Sequence, residues 1–341
     1  MHAEAATKDL LDADGPDTVR LTIADAATLG ERALQRVGYR GEDARIIVDQ
    51  LIDNTLCGYR FAGLPRILAI AGDPRTRQAR SPVTIVHETP VSALIDGGNS
   101  VGYIAGYRAA ETAIRKAKAA GMASVGAYNC YYSGRNAYFV EKIVREGLVA
   151  FHASGAHPCV LPPGAARPML GTNPICFGFP SDDGPVIVDM GTASIMWGEV
   201  MLHAHLGQPL PEGVGFDEHG RASTDAAAVL KGGVAPFGGH KGYGLSFAIQ
   251  ALGILAGAAL AKGEVRDYGL LFWVVDPAVM LPGGGFKSQM SEYVRQIKAT
   301  PRQPGVDEIR IPSERAFRER ERRRKEGLVL DRKVVEALQA L

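Results

Sequence analysis

The chain has 341 residues, 46% hydrophobic and 22% charged, with 41 glycines and a formal net charge of +1, as expected for one large or two intimate globular units. So even a balance sets up no global field to draw nucleic acid or an anionic membrane. The partners expected are small molecules, and an anionic one must be held by local groups.

Cys57, Cys130, Cys159 and Cys176 form no CxxC pair and no His/Cys cluster at zinc spacing. Neither a bound metal nor a disulfide framework is expected, and the thiols read as the reduced ones of a cytoplasmic enzyme. Residues 1–20 mix acidic and basic side chains with Ala and Gly, lack the apolar stretch of a secretory signal, and read as a disordered tail. The first strong helix carries Ala44, Ile47, Val48, Leu51 and Ile52, the spacing of one amphipathic face. Residues 21–80 are therefore expected to form a helical segment, packing with 306–341.

Pro65, Gly72, Pro74 and Pro82 mark a looser connection before extended runs at 83–88 and 91–96. A helix over Gly102–Ala120, with Ile104, Ala105, Ala109, Ala113 and Ile114 inward, stops at Gly121 and leads into an apolar strand at 123–127. That is a βαβ-like alternation. Further strands are predicted at 148–151, 175–179, 186–189 and 270–276, with a helix at 286–298 before a turn at 301–305. The apolar stretch 245–260 contains Gln250 and is too short to span a bilayer, so it reads as a buried helix. The expected class is α/β: a mixed, mostly parallel sheet with helices over 81–305. The arginine-rich run 318–325 also holds Glu319 and Glu321 and reads as a solvated helix face.

Neither GxGxxG after a strand nor GxxxxGK[ST] occurs in a suitable context, so an ordinary Rossmann reading fails. Three other segments carry the chemistry. In Gly171-Thr172-Asn173-Pro174, the proline biases Asn173 away from the helical region and Thr172 offers a hydroxyl at a fixed turn. In Asp189-Met190-Gly191-Thr192, an acidic residue closes an apolar strand, as a ribose-hydroxyl acceptor or as a cap for the next helix. In Gly238-Gly239-His240-Lys241-Gly242, glycines open an apolar helix whose N-terminus and Lys241 suit a phosphate, or simply form a glycine-rich helix entry.

In their order and spacing these segments resemble the type 2 malate/L-lactate dehydrogenase family, which includes ureidoglycolate dehydrogenases, diketogulonate reductases and cyclic-imine reductases. The resemblance covers about residues 21–335, and the tail from Pro304-Gly305 to Pro312-Ser313-Glu314 joins it. It implies a non-Rossmann dinucleotide-binding fold, NADP or NAD as cofactor, a homodimer, and hydride transfer to or from a small carboxylate substrate. Cofactor contacts would come from Ser133, Gly134, Arg135 and Asn136, from Asp189, Met190 and Gly191, from His240 and Lys241, and from Arg310, Ser313, Glu314 and Arg315. Substrate would meet Arg66, Thr172 and Gly198. A guanidinium suits a carboxylate bidentately, although Arg66 could equally be an ion-paired surface residue.

Two departures bear on the chemistry. The family's Ser-His-Gly element aligns with Phe61-Ala62-Gly63, and its second histidine falls on Tyr132. Reducing a ketone needs a proton at oxygen, which Ala62 cannot give. Tyr132 is the candidate acid, although with an ordinary pKa of about 10 it wants a neighbouring cation; the alternative is an aromatic wall. An iminium substrate already carries its proton, which favours a cyclic imino acid. His152 and His157, read as following a strand end, are further candidates. The competing function is a catalytically weakened relative that binds a nucleotide or metabolite.

Overall fold

The computed structural model describes residues 17–59, 62–260 and 267–341. Residues 1–16 of the expected tail, and Phe61, lie outside it. In chain order the elements are β1 (Thr18–Leu21), α1 (Ile23–Arg36), α2 (Gly41–Leu56), α3 (Arg66–Gly72), β2 (Thr84–Glu88), β3 (Ser92–Val101), α4 (Gly102–Ala120), β4 (Met122–Tyr131), α5 (Asn136–Arg145), β5 (Val149–Ser154), β6 (Ile175–Phe179) and β7 (Val186–Met190). They continue with α6 (Trp197–Leu206), β8 (Gly215–Phe216), α7 (Ala226–Lys231), β9 (Gly233–Val234), α8 (His240–Leu255), β10 (Leu270–Val275), α9 (Phe286–Ala299), α10 (Glu314–Glu326), β11 (Leu328–Asp331) and α11 (Arg332–Ala340). The chain divides into two compact units, 1–78 with 314–341, and 79–313.

In the first unit Thr22 accepts from the Asp25 amide at 3.0 Å and so caps α1, and α1 packs on α2, with Leu34, Ile47 and Leu51 fully buried. The expected tail is corrected at its end, because Thr18–Leu21 is a strand paired antiparallel with β11. Its partner lies some 310 residues away, beyond the reach of any local pattern. The arginine run is also corrected. Arg320 and Arg323 are buried, the first 3.2 Å from the Asp53 carboxylate and the second donating to the Thr55 carbonyl at 2.8 Å. Arg318, Arg322 and Arg324 remain on the outer face in pairs three or four residues apart.

The second unit is built on a seven-stranded sheet ordered β2-β3-β4-β10-β5-β6-β7. The α/β class and the mixed sheet agree with expectation, but the expected preponderance of parallel pairs does not: β3 and β4 pair parallel, and every other ladder of this sheet is antiparallel. The local alternation β4-α5-β5 does set those two strands in one direction. What it cannot reveal is β10, which arrives from more than a hundred residues downstream and inserts between them, antiparallel to both.

Helices α4 and α5 share one face, where Phe139 meets Phe272 edge-on at 6.0 Å and an added Cβ on Gly106 would strike the Phe139 ring. Phe151 and Ala153 point the other way and pack with Ile249 of α8. That helix starts at His240 and ends at Leu255, earlier at both ends than the apolar stretch. The reading of it as wholly buried is corrected as well. Gly242, Ser246, Ile249 and Gly253 form its buried stripe, while Phe247 and Leu255 are 62% and 66% exposed. Small residues face the sheet because the approach is close: an added Cβ on Gly269 would lie 2.3 Å from the Gly253 carbonyl. A small satellite core of Val160, Leu170, Val200, Leu210, Val229 and Val234 holds α6, α7 and the β8-β9 ladder.

Candidate active site

Because β4, β5 and β7 run in one direction and β6 opposes them, the ends of the first three and the start of β6 lie along one sheet edge. Three of the polar segments singled out from sequence emerge there: Tyr132 to Asn136, Gly171 to Pro174, and Asp189 to Thr192. Open α/β sheets gather their sites at such an edge.

Tyr132 leaves β4 with φ at +59°, in the left-handed region, and its ring centroid is 5.5 Å from that of Tyr131. A tyrosine in that conformation costs free energy and persists only when its surroundings hold it there. They do: α4 starts at Gly102, and a side chain there would overlap the Tyr132 carbonyl. Just beyond, the buried hydroxyl of Ser154 donates to Ser133 Oγ and Asn136 Oδ1, each at 3.3 Å. Asn136 Nδ2 donates to the Pro174 carbonyl at 3.2 Å, which ties this loop to the next.

Asp189 closes β7 with Oδ2 accepting from the Ala137 amide at 2.8 Å, in the first turn of α5. The reading of it as a cap for the next helix is corrected: that helix, α6, is capped at Met196, and the helix end that Asp189 meets is α5, which precedes it in the chain. Burial pushes its carboxyl up from the usual range, opposed by that amide and by the Arg135 charge. Thr172 offers its carbonyl to the Thr192 amide at 2.7 Å and to the Thr192 hydroxyl at 3.0 Å. At Gly191 an added Cβ would lie 2.8 Å from Met196 Sδ and 3.5 Å from the Thr172 carbonyl, so that thioether sits over the strand exit beside Thr172. Met190 is 41% exposed, and Gly198 lies in the first turn of α6.

At the entry of α8, Gly238 and Gly239 are left-handed with open space where side chains would stand. His240 and Lys241 are exposed. The Gly242 and Tyr243 amides already donate to the Phe237 and Gly239 carbonyls, which leaves the side chain of Lys241 as the main local positive charge for an anion here.

The remaining candidates belong to other segments. Arg310 pairs with Glu308 at 3.2 Å, and Ser313 has φ of +63°. Arg66, Glu314 and Arg315 belong to the first unit: Arg66 opens α3, Glu314 pairs with Arg318 at 2.6 Å, and Arg315 lies 5.6 Å from the Tyr59 ring centroid.

His152 is corrected outright. It lies within β5, fully buried, stacked on Phe272 at 3.9 Å with Nδ1 on the Leu271 carbonyl, and burial holds its pKa down to about 4. It is a neutral core residue away from the strand ends. His157 is exposed in the following loop. The Cys159 thiol is buried and pushed up to about 12, so it is inert at neutral pH.

Sequence reasoning missed Ser154, Ser246 and Gln250, which anchor the site from below. The signal was present in Gln250, a polar residue inside an apolar helix that contacts Asn173.

The sequence model of the malate/L-lactate dehydrogenase family matches residues 21–339. The chain is 32% identical to the L-sulfolactate dehydrogenase of Methanothermobacter thermautotrophicus over 331 residues, covering 94% of this chain and 95% of that protein. It is 31% identical to a Δ1-pyrroline-2-carboxylate/Δ1-piperideine-2-carboxylate reductase of Pseudomonas putida, over 95% of this chain and 97% of the relative. Among solved structures, the malate dehydrogenase of Pyrococcus horikoshii superposes with a TM-score of 0.85 at 29% identity, covering 96% of each chain. The Δ1-piperideine-2-carboxylate reductase of Pseudomonas syringae gives 0.81 at 27%, over 94% of this chain and 99% of that one. The chain therefore belongs to the malate/L-lactate dehydrogenase family and is an oxidoreductase.

Proposed function

We propose that this enzyme transfers a hydride between NADPH or NADH and a small carboxylate substrate, and that a cyclic imino acid suits its residues best. The observation that carries the reading is the convergence of the Tyr132–Asn136 loop, the Thr172 turn and the Asp189 strand end on one hydrogen-bonded sheet edge. The names of the relatives, which span malate and sulfolactate dehydrogenases and cyclic-imine reductases, support the substrate class.

The residues fit a dinucleotide: the open glycines before α8 leave room for a bulky anion, with Lys241 to neutralise it, and Asp189 supplies an acceptor for a hydroxyl. When bound, the nicotinamide supplies or accepts the hydride. Ser133, Gly134, Arg135, Asn136, Met190, Gly191, His240, Arg310, Ser313, Glu314 and Arg315 complete the proposed cofactor set by family resemblance. By the same resemblance Thr172 and Gly198 are the proposed substrate contacts of the second unit, and Arg66 of the first unit is the proposed carboxylate partner.

Ala62 stands where the family places its proton-donating histidine, so a substrate that brings its own proton is the one least affected. Tyr132, pinned by its backbone, is the proposed acid for any oxo acid that is turned over. A homodimer is part of the proposal, since the exposed Phe247, Ile254 and Leu255 on α8 form a patch that a second copy would cover. A cytoplasmic setting is part of the proposal, supported by four buried cysteines of which none forms a disulfide among the described residues.

The test is to measure NADH and NADPH binding and oxidation across a panel of 2-oxo acids and cyclic imino acids, with Tyr132→Phe beside the wild type. Turnover is expected to be highest with cyclic imines, and Tyr132→Phe should slow oxo-acid reduction about tenfold or more while sparing imines. Binding of dinucleotide without turnover on any member would favour the weakened-relative reading. Equal loss on both substrate classes would leave Tyr132 a packing residue.

A further inference from the structure

Asn173 has every polar atom of its side chain engaged, and its two side-chain polar atoms reach different parts of the site. It is fully buried, with φ at +33°, an unusual setting for a residue that precedes a proline. Its Oδ1 accepts from the Ala156 amide at 3.1 Å, in the exit of β5. Its Nδ2 donates to the Ser246 carbonyl at 3.0 Å, with Ser246 Oγ at 3.2 Å and Gln250 Oε1 at 3.3 Å, all on α8. Its own carbonyl accepts from the Thr192 hydroxyl at 3.2 Å, just past β7. The residue immediately before it is Thr172, and the N-terminus of α8 carries Lys241.

We propose that Asn173 is a positioning residue that fixes the substrate turn at Thr172 against the dinucleotide-binding helix α8, so that one side chain sets the register between the two binding sites. This rests on the proposed hydride-transfer function. The physical reason is directional. A buried amide that both donates and accepts can bond a helix carbonyl and a loop amide at once, and a residue of similar size with one type of group gives up one of these two links, leaving the Ala156 amide without this acceptor or α8 without this donor in a dry environment. The backbone cannot do this alone, because Pro174 has no amide to offer and Thr172 already spends its carbonyl on Thr192. The buried stripe of α8 is small-residued at Gly242, Ser246 and Gly253. Such a stripe interlocks weakly along the helix axis, and the Asn173 amide supplies the missing stop.

The experiment compares the wild type with Asn173→Gly and Asn173→Asp in the full chain. Glycine keeps the left-handed backbone without strain and removes only the side chain. Asn173→Asp keeps the Oδ1 acceptor but at neutral pH turns a carboxylate towards the Ser246 carbonyl; acidification restores a donor there. Asn173→Gly is expected to stay folded by circular dichroism, to raise the KM for the carboxylate substrate and the Kd for NADPH or NADH each about tenfold or more, and to speed hydrogen exchange at the Ala156 amide and in the first turns of α8. Asn173→Asp is expected to regain dinucleotide binding as the pH is lowered, relative to the wild type at each pH, a profile that loss of general stability would not produce. A folded Asn173→Gly with KM and Kd within about twofold of wild type overturns the proposal. If the wild type binds neither dinucleotide, the functional reading fails, and the exchange measurement on the free chains still decides the coupling: unchanged exchange in Asn173→Gly overturns it.

Discussion

A β-carbon on Gly102 would stand 2.7 Å from the carbonyl oxygen of Tyr132 and 3.2 Å from the Cα of Ser133. The first residue of α4 and the strained residue that follows β4 are thus in direct backbone contact. In the interior of a helix, glycine to alanine should favour the fold by up to about 1 kcal/mol. Here Gly102→Ala is expected to do the reverse to function, pushing the Tyr132–Ser133 peptide out of place and lowering kcat/KM about tenfold or more while the chain stays folded. Steady-state kinetics with circular dichroism check this, and an active Gly102→Ala would mean that the strained peptide has room to adjust.

Asp189 is held at the first turn of α5 with its carboxyl pushed up by burial. A raised carboxyl favours folding in its protonated form, so its contribution is fully present below the pKa of the unfolded chain and is lost as pH rises through the folded value. Asp189→Asn, neutral at all pH, is expected to melt higher than wild type at pH 8 and to bind dinucleotide about tenfold more weakly. Thermal unfolding at pH 8 and a fluorescence titration measure both.

His152 should show as an acid sensitivity of the fold. Its pKa is about 4 in the folded chain against an ordinary 6.5, because the buried ring between Phe272 and Phe139 excludes the charged form. The unfolded chain therefore takes up a proton first. Stability attributable to this residue is intact above pH 6.5 and is lost as the pH falls towards 4, by about 3 kcal/mol in all. His152→Gln should lose that part of the pH dependence, read as a smaller drop in urea midpoint between pH 7 and pH 4.5. An identical drop would place the acid sensitivity on other groups.

The exposed face of α8 gives a prediction about assembly. Phe247→Asp together with Leu255→Asp is expected to shift the chain to monomer in sedimentation velocity without unfolding it, since both side chains are more than half exposed in a single chain. A wild type that is already monomeric would remove the dimer from the functional proposal.

Much of the local architecture is readable in sequence because it is set by short-range physics. The helix from about Gly102 to Ala120 and its stop at the left-handed Gly121 agree with the structure, since a helix-breaking αL position needs only the glycine itself. Asp189, Thr172 and Asn173 stood out for the same reason, as polar groups fixed beside strand ends and a proline. The family was also legible, because it lies in the order of those segments.

What required the tertiary structure is everything that depends on partners distant in the chain. The place of β10 between β4 and β5, the strand at Thr18–Leu21 opposite β11 and the inward turn of Arg320 and Arg323 are set by residues more than a hundred positions away. So is the fate of His152, which a short-range reading sends to a site loop and the sheet seals in the core. Sequence determined which residues carry chemistry, through their type and local turn. Only the packing of the sheet decided which of them meet, because a hydrogen bond such as that from Asn173 to Ser246 depends on the crossing of elements that no local pattern encodes.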